Sequence, residues 1–455
     1  MILHKSSLID EMMILYENDP IGFANRYGIK QSKYNLAKLF NDNKILLYNC
    51  HSESIVLFNQ DVYESVFFNS NFSDKVIIEE LLLNGFLLCN NIDEDMLCND
   101  IKRKALNQGK NEIKITINPT YQCNANCFYC FEHLSPKQTM SAEVIETVSA
   151  WVVNNLAPKD NLTLVWFGGE PLLQVNTIDR IINNIKKNLP QQVHYQSIVI
   201  SNGTIMDESL CNLLINQWNT VEFHTVIDGL EKEHNERKCF LNKKFNGYKK
   251  TIYTIQTMLN YRVPVVCRLN IDKANLHMLD PILQELKQMQ NVELLKVFIA
   301  PLRNQIESVR NDYYNYEEYN DLFDYAFNLL FKYGFISDIA DILPKRKITC
   351  CSSKRERDYV IDPLGNIFFC IQTATDKQYS IGNCSIGSVK MTHDKQFSNL
   401  ECQSCNLIPI CQGGCKGFRM LNNGISPCTI EKHYINTLLK WMRVLSEKEK
   451  ENDNC

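Results

Sequence analysis

The sequence predicts an α/β protein: a partial barrel of six strand-and-helix units, with a small α+β unit before it and a cysteine-rich segment after it. Three observations lead there. Short β-branched or aromatic runs alternate with helical patterns from about residue 113 to 300, the rhythm of a parallel sheet with crossover helices. Polar residues recur at the ends of those runs, where the loops of a barrel converge on one ligand. Cysteines gather in two groups, one just after the first run and one from residue 350 onward.

The first hundred residues read as a compact unit of their own. ILLYNCHSESIVLFN predicts a hairpin with a polar turn, VYESVFF a helix, and IIEELLLNGFLL a helix followed by a glycine-led strand. The barrel strands are KITINP, TLVWFGG, YQSIVIS, VEFHTVIDG, PVVCRLNID and LKVFIAP. Between the first two, SAEVIETVSAWVVNNL is an amphipathic helix, and Ser141 with Glu143 and Glu146 makes an acidic start that complements the helix dipole. The KEKEND end reads as a solvated tail. The predicted division is 1–110, an α+β unit; 111–335, the partial barrel; 336–440, the cysteine-rich domain; and 441–455, a charged tail.

Composition narrows the function classes. With 455 residues, 45% hydrophobic and 22% charged, the chain has ample material for a core. No apolar run approaches the roughly 20 residues that cross a bilayer, and the opening segment carries acids and lacks the apolar core of a signal peptide. A cytoplasmic location and no membrane partner are expected. Nineteen cysteines without an export signal point to metal rather than to a disulfide framework. A net charge of −4 gives no electrostatic footprint for nucleic acid.

Cys123, Cys127 and Cys130, spaced Cys-x3-Cys-x2-Cys on the loop after KITINP, can hold three irons of a four-iron, four-sulfur cluster and leave the fourth iron open. A zinc site is the competing use of clustered thiols. After the second strand, Gly168, Gly169, Glu170 and Pro171 form either a tight turn or a place for close backbone approach to a ligand. The third strand ends in Ser201, Asn202, Gly203 and Thr204. The fourth ends in Asp228-Gly229, followed by His234-Asn235-x-Arg237. Arg268, Asn270 and Asp272 alternate on the fifth and so share one face of it. There Arg268 could make a charge-assisted fork with a carboxylate ligand or a structural ion pair with Asp272 or Asp228.

This order of motifs resembles the radical S-adenosylmethionine (SAM) enzymes, whose open iron binds SAM and cleaves it reductively to a 5′-deoxyadenosyl radical. The resemblance implies SAM contacts from Gly168, Gly169, Glu170 and Pro171, from Ser201 and Asn202, and from Arg268. Where the family has a serine before the Asp-Gly pair, this chain has Val226, with Thr225 beside it. The later cysteines extend the resemblance. Cys350 or Cys351, Gly365-x4-Cys370, Cys402-x2-Cys405-x5-Cys411-x3-Cys415 and then Cys428 are similar to the seven-cysteine SPASM extension, which holds two auxiliary four-iron clusters. By that pattern Cys402, Cys405, Cys411 and Cys428 hold the outer cluster, and Cys370, Cys415 and one or both of Cys350 and Cys351 the inner one. Cys384 lies close enough in sequence to be a spare ligand.

The resemblance implies three 4Fe-4S clusters, SAM, a peptide or protein substrate and a small electron-donor protein. Two reactions compete. Sulfatase maturases of this kind oxidise a Cys or Ser to formylglycine and place an Asp base directly after the Gly-x4-Cys cysteine, where this chain has Ile371. The expectation is therefore a peptide maturase that forms a cross-link such as a thioether. The N-terminal unit then serves as a leader-peptide recognition domain or as a cap on the barrel. A non-catalytic iron-sulfur or zinc protein, or a dehydrogenase of small molecules, remains as an alternative.

Overall fold

The computed structural model describes residues 2–6, 8–108, 110–132, 135–242, 244–303, 312–347, 357–387, 400–422 and 426–453. The chain starts with β1 (Ile2–His4), helices Ile9–Leu15 and Pro20–Tyr27, then β2 (Ile29–Gln31), β3 (Asn35–Leu39), β4 (Lys44–Asn49) and β5 (Ile55–Asn59). Helices Gln60–Phe67 and Lys75–Leu83, β6 (Leu87–Cys89) and helix Glu94–Gln108 complete the N-terminal unit. The expected hairpin is β4 against β5, antiparallel, with Tyr48 opposite Ile55. It forms the middle of a four-stranded sheet ordered β1-β5-β4-β3.

This sheet is buried on both faces. Period-two alternation sends Leu46 and Tyr48 into the main core of the molecule and Leu47 into a separate core with Val56, Phe58, Leu81 and Phe86. The Tyr48 hydroxyl donates to the Pro344 carbonyl at 2.7 Å, and the Arg346 guanidinium donates to the His51 carbonyl at 3.0 Å. The N-terminal unit therefore shares a core with the larger sheet.

Six parallel strands come next: β7 (Glu112–Ile117), β8 (Asn161–Trp166), β9 (His194–Ile200), β10 (Thr220–Ile227), β11 (Val265–Ile271) and β12 (Leu295–Pro301). They lie side by side in chain order, as expected for a partial barrel. Helix Ala142–Asn154 is capped by Ser141, whose side chain accepts from Val144 N at 3.2 Å. Helix Val175–Asn188 buries Ile178, Ile181, Ile182 and Ile185, one stripe at helical spacing. The last helix of the series is Tyr319–Lys332.

The sheet does not stop at six strands. β13 (Asp358–Ile361) adds to the free edge of β7 in parallel, with Ile361 opposite Ile117, and continues antiparallel into β14 (Asn366–Phe368) and β15 (Gly382–Asn383). Arg357 fixes the entry to β13 with two 2.6 Å bonds to the buried Asp160 carboxylate. The turn after β13 is Asp362-Pro363-Leu364-Gly365. The Asp362 carboxylate accepts from Leu364 N and Asn366 N, and Gly365 takes φ +77°.

The solvated tail expected from residue 441 is instead part of a helix, Ile435–Asp453. Leu438, Leu439, Trp441, Met442 and Leu445 form an apolar stripe on it that is buried in the main core. Arg443 reaches Asp42 with bonds of 2.8 and 2.6 Å and ties this helix to the N-terminal unit. No helix among the described residues is long and apolar enough to cross a membrane.

Candidate active site

The three-cysteine loop leaves β7 at its C-terminal end and is clamped there. Tyr121 N donates to Gln138 O at 2.8 Å, and the Thr120 hydroxyl lies 2.7 Å from that of Thr139. Cys123, Cys127 and Cys130 lie close enough for each to feel another's charge. Burial, with Glu170 and the other two thiols, pushes Cys123 up to about 12, and burial pushes Cys130 up to about 11. A bound iron centre would reverse this by stabilising the thiolates. Among the described residues no three His, Cys, Asp or Glu side chains close on a point that would hold a single metal ion.

The Gly-Gly-Glu-Pro turn packs against the backbone of that loop. Gly169 N donates to Thr120 O at 3.1 Å and Glu170 N to Gln122 O at 2.8 Å. A Cβ at Gly169 would come within 2.2 Å of Gln122 O, and one at Gly168, where φ is +117°, within 2.4 Å of Thr120 O. Both glycines are thus required by the approach of two backbones. Pro171 opens the 3-10 turn Pro171–Gln174.

Glu170 is fully buried and joins the ends of two strands. Its Oε1 accepts from Leu172 N at 3.0 Å and from the Ser201 hydroxyl at 2.8 Å, and its Oε2 accepts from Asn202 N at 2.8 Å. Burial raises its pKa and these donors oppose the rise. The Asn202 amide in turn donates to Asn124 Oδ1 at 2.8 Å and faces the Cys123 sulfur at 3.9 Å. Ser201, Asn202, Glu170 and Cys123 therefore belong to one network.

On the other side of the loop lies a constellation that the sequence reading missed. Tyr129, between two of the cysteines, donates its hydroxyl to the fully buried carboxylate of Asp228 at the end of β10. The Lys238 ammonium, 3% exposed, sits 3.0 Å from that hydroxyl and 3.3 Å from Asp228. Asn270 donates to Asp228 at 3.0 Å. Burial alone would raise the Asp228 pKa, but the Lys238 charge, with the Tyr129 hydroxyl, holds it below the usual carboxylate range. In sequence Lys238 ends the charged run EKEHNERK, which reads as a solvated helix face. Only the fold turns it inward.

Arg268 makes neither of the ion pairs offered for it. It donates from Nε to Asn270 Oδ1 at 2.8 Å, whereas Asp228 is taken by Lys238 and Asp272 by Arg237, at 2.7 and 3.3 Å. Arg237 also lies over the Phe128 ring, 5.1 Å from its centroid. Thr225, beside the departure at Val226, is 1% exposed with an unpartnered hydroxyl, and buried His234 has an unpartnered Nε2. Burial presses His234 down to about 3, so its ring is neutral. Orphaned polar atoms and a glycine cradle around three thiols fit a polar cofactor there.

The C-terminal cysteines fall into two groups. Cys402 feels the charges of Cys411, Cys405 and Cys428. Cys370 and Cys415 meet at Gly417, where an added Cβ would lie 2.8 Å from one sulfur and 3.8 Å from the other. Cys350 and Cys351 lie outside the described residues. Cys384 is buried beside the Asp362 turn, 3.8 Å from the Cβ position of Gly365, and is pushed up to about 12 by burial and by Asp362. Ile371 packs with Val360, Phe368 and Ala374.

A family described as a 4Fe-4S single cluster domain matches residues 117–251, the stretch that contains the first three cysteines. A cysteine-type anaerobic sulfatase-maturating enzyme from Clostridium novyi is 23% identical over 333 residues, covering 65% of this chain and 85% of its own length. The radical SAM cyclopropyl synthase TigE from Paramaledivibacter caminithermalis is 20% identical over 416 residues, covering 83% and 82%. The solved structure of native anSMEcpe with bound AdoMet and Cp18Cys peptide superposes with a TM-score of 0.58 at 18% identity, covering 74% of this chain and 99% of its own. Relatives and motif order agree on the chemistry and the solved structure agrees on the scaffold, so this chain is an enzyme similar to the radical SAM/SPASM type.

Proposed function

We propose that the protein oxidatively modifies a ribosomally made peptide and forms a cross-link such as a thioether. The observation that carries this reading is the apolar setting of Ile371, where a formylglycine-forming relative would have its Asp base. The peptide substrate is supported by the relative named as a sulfatase-maturating enzyme and by the solved structure that holds the Cp18Cys peptide.

When bound, a SAM-ligated 4Fe-4S cluster on Cys123, Cys127 and Cys130 supplies a radical that takes a hydrogen atom from a substrate carbon, and two clusters on the C-terminal cysteines supply the electron acceptor. The chain's own residues prepare that chemistry. Gly168, Gly169, Glu170 and Pro171 set the cysteine loop's height above the sheet, and Ser201 and Asn202 lock it to β9. Lys238 and Asp228 hold Tyr129, and with it the loop, from the other side. Arg268, anchored among the described residues through Asn270, keeps Nη donors for an anionic group of SAM. Cys402, Cys405, Cys411 and Cys428 form one ligand set, and Cys370 and Cys415 belong to the other. A small electron-donor protein starts the cycle, and the four-stranded N-terminal sheet offers an edge for an extended leader.

The test is anaerobic co-expression with any short reading frame encoded beside this gene, followed by tandem mass spectrometry of the recovered peptide. The expected product lacks two hydrogens, has a blocked cysteine, and shows no fragments between the two joined residues. A formylglycine product would favour the second reading, to which the C. novyi relative points. An unchanged peptide, with 5′-deoxyadenosine still released, would overturn the cross-linking reading and move the search to sulfatases or small molecules.

A further inference from the structure

At the seam between β7 and β13, buried polar atoms converge without partners. Asn118 ends β7, and its backbone N–H donates to Ile361 O at 2.9 Å, which places it beside Asp362 at the end of β13. Its side chain is fully buried, yet among the described residues Oδ1 has no donor and Nδ2 has no partner apart from the Tyr121 hydroxyl. Glu132, two residues past Cys130, is 3% exposed with an unpartnered Oε1. Ser135, 6% exposed, has an unpartnered hydroxyl and is tied to Glu132 through its backbone at 3.1 Å.

Tyr121 marks the centre of this group, because its phenol feels the charges of both Asp362 and Glu132 and lies beside the Asn118 amide. Its single hydroxyl proton is committed to Ala374 O at 2.7 Å, so toward Asn118 it can only accept, from Nδ2, and it leaves Asn118 Oδ1 without a donor. Native proteins rarely leave such groups unpaired, since each costs the desolvation of a polar atom with no return. A ligand with complementary donors and acceptors removes that cost.

The location narrows the ligand. The seam lies between the loop of Cys130 and the segment that follows Cys370, between the two cysteine groups. Glu170, Ser201 and Asn202 of the SAM expectation engage the cysteine loop from β8 and β9, on the opposite flank of β7 from β13. A carboxamide offers one donor and one acceptor side by side, the pattern of a peptide group, and a carboxylate oxygen accepts an N–H.

We propose that Asn118 and Glu132 form a binding site for the backbone of the peptide segment being modified. The Asn118 carboxamide pairs with one peptide group and Glu132 Oε1 accepts a backbone N–H. This assignment rests on the peptide-maturase reading above and adds the residues that hold the substrate.

The experiment uses the cluster-loaded full chain with SAM and a fluorescein-labelled synthetic copy of any short peptide encoded beside this gene. Asn118→Leu and Asn118→Ala should each weaken peptide binding about tenfold, and Glu132→Ala likewise, whereas Glu132→Gln, which keeps an acceptor oxygen, should lose less than about threefold. SAM affinity and peptide-free 5′-deoxyadenosine release should stay at the wild-type level. The melting temperature of Asn118→Leu should stay close to wild type, because only the contact of the amide with Tyr121 is lost. A lower melting temperature for both Asn118 variants would show a structural amide and overturn the assignment, as would weakened SAM binding with intact peptide binding. If wild type modifies the peptide and the variants bind it equally well, this assignment alone fails. If wild type neither binds nor modifies it, the peptide reading fails first.

Discussion

Replacing Lys238 with Met should be among the most damaging single changes outside the cysteines. The ammonium is 3% exposed and its partner Asp228 is fully buried, so the substitution strands a carboxylate with only the Tyr129 hydroxyl and the Asn270 amide. Removing one partner of a buried pair costs about 3–5 kcal/mol, and the two remaining donors favour the lower end. At about 2–4 °C per kcal/mol for a domain of this size, the melting temperature should fall by roughly 6–20 °C.

The pH dependence carries the diagnostic sign. In the wild type the Asp228 pKa is held below its unfolded value, so its contribution is present above that value and is lost only in strong acid. In Lys238→Met, burial without the cation raises the folded pKa above the unfolded one. The penalty is then absent at low pH and grows as pH rises toward the new pKa. Scanning calorimetry of cluster-loaded protein from about pH 8 down to about pH 5.5 should show the deficit shrinking. The double variant Lys238→Met with Asp228→Asn should recover much of the loss. A deficit independent of pH, or a double variant worse than the single, would refute the argument.

Three further outcomes are expected from the same geometry. Gly169→Ala puts a methyl group where Gln122 O stands, 2.2 Å away, and should cut iron content and SAM cleavage together while the far-ultraviolet circular dichroism stays unchanged. Glu170→Gln replaces an acceptor facing Leu172 N, the Ser201 hydroxyl and Asn202 N by an amide with one oxygen, a loss of about 1–3 kcal/mol, and should weaken SAM binding in equilibrium dialysis. Alanine at Cys123, Cys127 and Cys130 together should abolish 5′-deoxyadenosine release under reducing conditions, and retained release would sink the radical reading.

Much of the scaffold could be read directly, because local signals and tertiary structure agree there. The alternation from KITINP to LKVFIAP appears as six strands in chain order, and Ser141 caps the helix it was expected to cap. β13 could not be read that way: DYVI is four residues long, and its partner β7 lies hundreds of residues upstream, so nothing local specifies the pairing. The charged end misled for the opposite reason. The buried stripe of the last helix lies just before and within its first turns, and the acids and lysines after it merely continue that helix. At the site, spacing marked the thiols and the glycines, but the inward turn of Lys238 and the unpaired Oδ1 of Asn118 are properties of burial. Residue identity alone does not carry them.

The β7–β13 pairing also sets an order of events in biogenesis. Ile117 and Ile361 are opposite one another across 244 positions of chain, so during synthesis the β7 edge waits, unpaired, until the last quarter of the protein has left the ribosome. Throughout that interval the cysteine loop that β7 carries has no wall on its β13 side. Iron delivered co-translationally meets an open loop, and iron delivered afterwards meets one already walled on its β13 side, where Tyr121 is bonded to Ala374, with its three cysteines still partly exposed.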